Sequence, residues 1–350
     1  MSRRAGVPVC VEDSVRTRVL TALPDDADGV ILTSPGAVSW YLGGARTTVP
    51  LGGASVAAVL ITRDGEQVRC HVMEAERLRT EDGIEGVVEV DWTLPLVPAE
   101  WRDDPRIRSE DELDLPLRAA RASLTDVEIA RYRALGADVA QLVTAVSAGL
   151  RPDDRERSVA GELAARIYSA GAEPVVLLVA GADRKALRHP VPTGAMLGDS
   201  AMLVVGARRH GLIVNLTRSV RFSGSAPAGE RRLLDVEADI FSATTPGMPL
   251  ADVFAILQRS YRARGFNADE WRNHHQGGPT GYFGRDPKVA AGTLGRVAER
   301  QAFAWNPSAP GIKVEDTVLA TADGIELFTH DSAWPTVEVA GRNRPVPLQL

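Results

Sequence analysis

Apolar residues along the chain come in two rhythms. Between Gly29 and Trp92, short runs rich in valine and isoleucine (GVILTS, SVAAVLIT, QVRCHVM and GVVEVDW) are bounded by Gly, Asp and Pro. This is the pattern of strands joined by turns. SPGAV at 34–38 opens a turn and then a helix leading into SWYLGG, so this part predicts a small α/β domain. From 124 to 149 the rhythm lengthens. Val127, Ile129, Tyr132, Leu135, Val139, Leu142 and Val143 recur at helical spacing. Thr125 stands as N-cap with Glu128 three residues on, a capping box. Residues 99–123, charged and carrying two prolines, read as a linker between the two parts.

Beyond RPDD a second helix is predicted over 155–170, then strands at EPVVLLVAG, SAMLVVGAR and GLIVNLTRSVRF. Helices near 229–243 and 250–264 follow, and KVEDTVLAT, GIELFTH and TVEVAG close the chain as strands. Strands and helices come in blocks, which favours α+β architecture with an antiparallel sheet. The domains expected are 1–122 and 123–350. Around ARRHG the chain forms a hairpin. With the turn centred between Arg209 and His210, Val204 faces Asn215 and Met202 faces Thr217. Asn215 and Thr217 then share one face, either inward or solvated.

Composition narrows the function classes. The 350 residues are 44% hydrophobic and 25% charged, ordinary for a globular chain, and the net charge of −6 argues against a nucleic-acid partner. No apolar run reaches the roughly 18 residues of a membrane span. The start, MSRRAGVPVCVEDS, has no apolar core of a signal peptide. Cys10 and Cys70 allow one disulfide, but a reduced cytoplasmic chain is the expectation.

The densest chemistry lies in HHQGGPTGYFGRD, 274–286. Neighbouring residues of an extended strand point to opposite faces, so His274 and His275 are expected to diverge. Gly277, Gly278, Gly281 and Gly284 imply tight turns or close backbone approach. His189, in LRHP, is a further candidate, since a histidine titrates near neutrality.

Several motifs together resemble one family. GDSAMLVVGARRHGLIVNLTRSV is similar to the hairpin of the pita-bread-fold peptidases: methionine aminopeptidase, prolidase, aminopeptidase P and creatinase. LTDVEIARYRALG resembles their first long helix, LRHPVPTGAMLGD their segment upstream of the hairpin, and KVEDTVLATADGIELFT their C-terminal Glu-Asp-Thr strand. SPGAVSWYLGG is similar to the creatinase-type N-terminal domain. The resemblance covers most of the chain. It implies a creatinase-type N-terminal domain followed by a pita-bread catalytic domain, and a homodimer.

The family's peptidases use two metal ions on five ligand positions. The resemblance places these at Val204, Asn215, Gly278, Asn306 and Glu315. Only Glu315 keeps a carboxylate. Two hard divalent ions need several charged oxygens, so no metal and no other cofactor is expected. Creatinase works without metal, and His189 matches its proton-transferring histidine. The resemblance thus implies a metal-independent hydrolase or lyase cleaving a C–N bond in a small amino-acid or dipeptide-like substrate. His189, Glu315, His275 and Asp286 would be catalytic. Arg285 would hold a substrate carboxylate, or else pair with Asp286 at the surface. His274, Asn215, Asn306, Tyr282, Arg218 and Arg46 would line the site, Arg218 with a structural fork as its alternative. Trp40, Tyr41 and Arg46 match residues that reach a partner subunit's site. The alternatives are a pseudo-peptidase that binds a peptide or protein without turnover, and an Xaa-Pro aminopeptidase with a metal site rebuilt on His189, His274 or His275.

Overall fold

The computed structural model describes residues 15–227 and 229–350. Cys10 and the start of the chain lie outside the described residues; Cys70 is a buried free thiol. The chain divides into two compact units. One takes in the described residues up to Val49 together with Gly53–Arg121, the other Pro50–Gly52 and Ala122–Leu350. Among the described residues, no helix is long and apolar enough to cross a membrane.

The N-terminal unit runs α1 (Val15–Thr21), β1 (Gly29–Leu32), α2 (Pro35–Tyr41), β2 (Ala57–Thr62), β3 (Glu66–His71), α3 (Val72–Thr80), β4 (Val88–Val90), α4 (Ala99–Arg102), β5 (Ile107–Ser109) and α5 (Asp114–Ala122). Its sheet has the order β4-β3-β2-β1-β5. Ser34 caps α2 by accepting the Ala37 N–H, with Pro35 opening the helix. Residues 99–123 are not a linker. β5 pairs parallel with β1, and Trp101 and Leu117 are buried. Most of the charges that disguised this stretch lie on outer faces, while one apolar residue per turn is enough to anchor so short an element.

The second unit opens with α6 (Asp126–Ala148), α7 (Glu156–Ser169), β6 (Glu173–Gly181), β7 (Ser200–Arg209) and β8 (Leu212–Arg221). The Thr125–Glu128 capping box closes in both directions, so α6 begins where the sequence places it. At Gly136 any Cβ would stand 2.3 Å from the Phe328 carbonyl oxygen; the missing side chain lets α6 press onto that strand end. Tyr132 stacks on Phe328 with centroids 5.1 Å apart and donates to the Ile213 carbonyl, tying α6 to β8.

The β7–β8 turn is His210–Gly211, both at positive φ, the two-residue turn whose twist matches antiparallel strands. Val204 therefore faces Thr217, and Asn215 faces Gly206. This corrects the expected register by two residues. A shift of two keeps each side chain on its face. Asn215 and Thr217 are buried, which decides for the inward face.

α8 (Glu230–Ala243), α9 (Leu250–Ala263), β9 (Gly277–Pro279), β10 (Gln301–Trp305), β11 (Ser308–Ala309), β12 (Ile312–Lys313), β13 (Asp316–Thr321), β14 (Gly324–Leu327), β15 (Thr336–Val339), β16 (Arg342–Pro345) and β17 (Leu348–Gln349) follow. The two four-stranded sheets have orders β17-β8-β7-β6 and β14-β13-β10-β9, joined by a bridge from Thr217 to Glu315. Phe241 and Ile240 of α8 and Phe254 and Leu257 of α9 belong to the same buried cluster as Phe303, Trp305 and Val318 of β10 and β13. The α+β expectation, with helices backing largely antiparallel sheets, holds for this unit.

Candidate active site

Glu315 sits between β12 and β13, buried, with both oxygens engaged. Oε1 accepts from Arg285 Nη2 at 2.7 Å. Oε2 lies 3.0 Å from Lys313 Nζ and accepts from Thr217 Oγ1 at 3.0 Å. Burial alone would raise the pKa of this carboxyl. The Lys313 ammonium and Arg285 guanidinium outweigh it and hold the group at about 2. Arg285 is thus no surface partner of Asp286, since its side chain is largely buried against Glu315.

Three histidines gather next to this triad. His189 comes from the loop between β6 and β7. His274 and His275 follow a 3₁₀ turn, Glu270–Asn273. The Nε2 atoms of His189 and His274 are 3.1 Å apart, and the rings of His274 and His275 stack with centroids 4.4 Å apart. The expected divergence of the two adjacent histidines is wrong. Strand alternation holds on a pleated strand, and here the strand starts only at Gly277. Burial, reinforced by Lys313 and the neighbouring imidazoles, lowers the His274 pKa to about 3. Burial with Arg285 and Lys288 lowers His275 to about 4. His189, the exposed member, is lowered by its partial burial and by Lys313 and Lys288. Glu315 acts in the opposite sense on all three.

The scaffold explains the placement. Arg188 pairs with Glu270 and donates to Ser308 Oγ at 3.1 Å, tying the His189 loop to the turn before His274. Gln276, fully buried, donates to the carbonyls of His274 and Trp271 and accepts from the Tyr261 hydroxyl. Gly277 and Gly278 have φ of 106° and 146°. A Cβ at Gly278 would lie 2.4 Å from the Pro287 carbonyl oxygen, so the close approach expected of the glycines is real at these two. Gly281 and Gly284 have open space instead.

The other expected residues divide. Asn215 and Asn306 are buried with unpaired polar atoms, Nδ2 of Asn215 and Oδ1 of Asn306. Tyr282 is buried and donates to Glu128 of α6, a structural contact. Arg218 forks between Asp316 and the carbonyls of Thr217 and Thr329, so its structural alternative is the one realised. Asp286 is half-buried, its N–H bonded to the Pro279 carbonyl. Arg46 belongs to the N-terminal unit, where its guanidinium pairs with Glu81. Trp40 is buried in that unit's core, so it does not project toward a partner as the resemblance implied. Sequence reasoning missed Lys313, Lys288 and Arg188. Lys313 was within reach: it stands two residues before Glu315 in KVED, the spacing that puts side chains on one face of an extended segment. A cavity of about 760 Å³ shares Thr217 and Lys313 with this cluster and is otherwise walled by Leu233, Leu234, Ile312, Trp334 and Val346, among others.

The sequence profile of metallopeptidase family M24 matches residues 130–322, more than half the chain. The chain belongs to that family. Its class, hydrolases of peptide C–N bonds, is the class the motifs implied. An uncharacterised peptidase of Staphylococcus aureus (strain MW2) is 22% identical over 308 residues, covering 78% of this chain and 87% of the relative. The prolidase of Pyrococcus horikoshii OT3 has the same fold, with a TM-score of 0.75 at 18% identity over 91% of this chain and 98% of the other. An Xaa-Pro dipeptidase from Bacillus anthracis superposes with a TM-score of 0.74 at 16% identity, covering 96% and 99%. This chain therefore shares the pita-bread fold with both solved structures.

The family name implies metal, and the residues at the five resemblance-derived ligand positions do not fit a two-metal centre. Val204 packs with Ala180 and Met202 and has no lone pair to offer. Gly278 has no room for a side chain. Glu315 already carries two cations, Lys313 and Arg285, on its oxygens. Asn215 and Asn306 bring no charge.

Proposed function

We propose that this M24 member hydrolyses a C–N bond in a small amino-acid or dipeptide-like substrate without the family's two metals, as a creatinase-like enzyme. One observation carries the reading: unprotonated imidazoles, His189 and His274 in direct contact, stand beside a carboxylate whose charge is fixed by Lys313 and Arg285. His189 accepts the proton of the attacking water as the oxygen–carbon bond forms, and returns it to the leaving nitrogen as the C–N bond breaks. His274 holds the working tautomer through the 3.1 Å contact. Glu315, ionised to about pH 2, serves as counter-charge and not as proton donor. Arg285, Lys313 and Lys288 leave an excess of positive charge for a substrate carboxylate. The unpaired amides of Asn215 and Asn306 offer it hydrogen bonds, and the adjoining cavity receives its apolar part. A homodimer in the cytoplasm completes the proposal.

The test is turnover of a panel of dipeptides and guanidino amino acids by chelator-treated protein. Activity should persist without metal and fall at least about 100-fold in His189→Ala. Activity that returns only with added divalent ions refutes the proposal. The loss of donors at Val204 and Gly278 favours a second reading, peptide binding without turnover. Saturable peptide binding with no product from any member of the panel would select it.

A further inference from the structure

We propose that His189, His274 and His275 form a mononuclear transition-metal site, of a type suited to zinc, displaced from the family's two-metal position. One ligand nitrogen from each of the three lies within 4.8 Å of the others. In a tetrahedral zinc site with Zn–N of about 2.0–2.1 Å, neighbouring nitrogens stand about 3.3 Å apart. The His189–His274 pair is already at 3.1 Å. The His275 nitrogen lies within 4.8 Å of the other two, so binding would draw it inward by at most about 1.5 Å.

Three further observations point to a ligand. Two imidazole nitrogens facing each other satisfy one hydrogen bond at most, whereas both lone pairs can be used by one cation. The Nδ1 atom of His275 is buried without a partner. An imidazole in its neutral form offers a metal one nitrogen lone pair, and each of the three rings can supply one. The three come from two segments that the Arg188–Glu270 pair holds together, so the site is preformed.

The surroundings select the ion. Lys313, Lys288 and Arg285 outnumber Glu315, and a hard ion bound through charge alone would be repelled. Mg²⁺ and Ca²⁺ want carboxylate oxygens, which this triangle lacks. Zn²⁺ and its relatives bind imidazole through nitrogen lone pairs and tolerate a neutral ligand set. The site goes beyond the proposed hydrolysis, which uses the same lone pairs for protons. Bound zinc would therefore act as an inhibitor, and an active enzyme and a metal-loaded one are alternative states of one cluster.

The experiment is titration of the full chain with Co²⁺, followed by visible absorption and by metal content after gel filtration, so that its outcome does not depend on turnover. The expected result is one ion per chain with the intense visible bands of a nitrogen-rich, low-coordinate site, displaced by Zn²⁺. Outer partners of metal ligands alone change affinity by about 10–100-fold, so removing a ligand in His274→Ala should weaken binding at least about 100-fold. His189→Asn, on the exposed member, guards against misfolding and should do the same. Asn306→Ala, which alters one of the family's ligand positions, should keep the spectrum. No visible bands with excess Co²⁺, bands unchanged in both histidine variants, or bands lost equally in Asn306→Ala each overturn the site. None of these outcomes bears on whether chelator-treated protein turns over substrate.

Discussion

Replacing Glu315 by glutamine tests the electrostatic core of the site. The substitution keeps the shape and an acceptor for Thr217 but deletes the charge between Lys313 and Arg285. Glu315 is held from the ordinary 4.5 down to about 2. At about 1.4 kcal/mol for each tenfold change, its ionised form contributes about 3 kcal/mol to the folded state at neutral pH. A second route gives the same size: breaking a buried ion pair by removing one partner costs about 3–5 kcal/mol. The folded pKa lies below the unfolded one, so the contribution is complete above about 4.5 and is lost as pH falls toward 2. Urea denaturation should show Glu315→Gln less stable by about 3–5 kcal/mol at pH 7, with the gap narrowing below about pH 4. Adding Lys313→Met should recover part of the loss, a non-additivity of at least about 1 kcal/mol. A gap under about 1 kcal/mol at neutral pH, or one that does not change with pH, would refute this account of the site's charge balance.

Three further outcomes are expected. Arg344, buried between Glu237 and Asp316, leaves two carboxylates facing each other when changed to alanine, which should lower unfolding free energy by about 3–5 kcal/mol in the same assay. His274, at about 3, sits below the usual 6.5, so the native state binds fewer protons than the unfolded chain once pH drops under about 6.5. Wild-type stability should then fall by up to about 1.4 kcal/mol per pH step below that point, and His274→Asn should lose less between pH 7 and 5. Arg188→Ala unties the His189 loop from Glu270, and amide exchange around residues 187–191 should quicken at least about tenfold.

Much of this was legible in the residues, and the failures share a cause. The α6 start was readable because a capping box is a local contract between Thr125 and Glu128. The loss of the family's ligand set was readable because valine and glycine lack donors wherever they sit. The hairpin register slipped because ARRHG allows more than one turn, and only the positive φ of His210 and Gly211 chooses. The histidine cluster was not legible. It depends on the path of a short non-strand segment and on a tie between Arg188 and Glu270, residues 82 apart in sequence. Residues 99–123 misled because charge on a solvent face hides the few apolar anchors beneath.

The backbone at Gly278 also decides what can be rebuilt. Aspartate at 204 and 215 and glutamate at 306 can each be written into the chain by substitution. Histidine at 278 cannot, since φ is 146° and a carbonyl oxygen stands 2.4 Å from where its Cβ would be. Restoring the family's ligand set would require the Pro287 segment to move first. The site is ratcheted: engineering of metal chemistry in this scaffold has its starting point at the three imidazoles, not at the family's carboxylates.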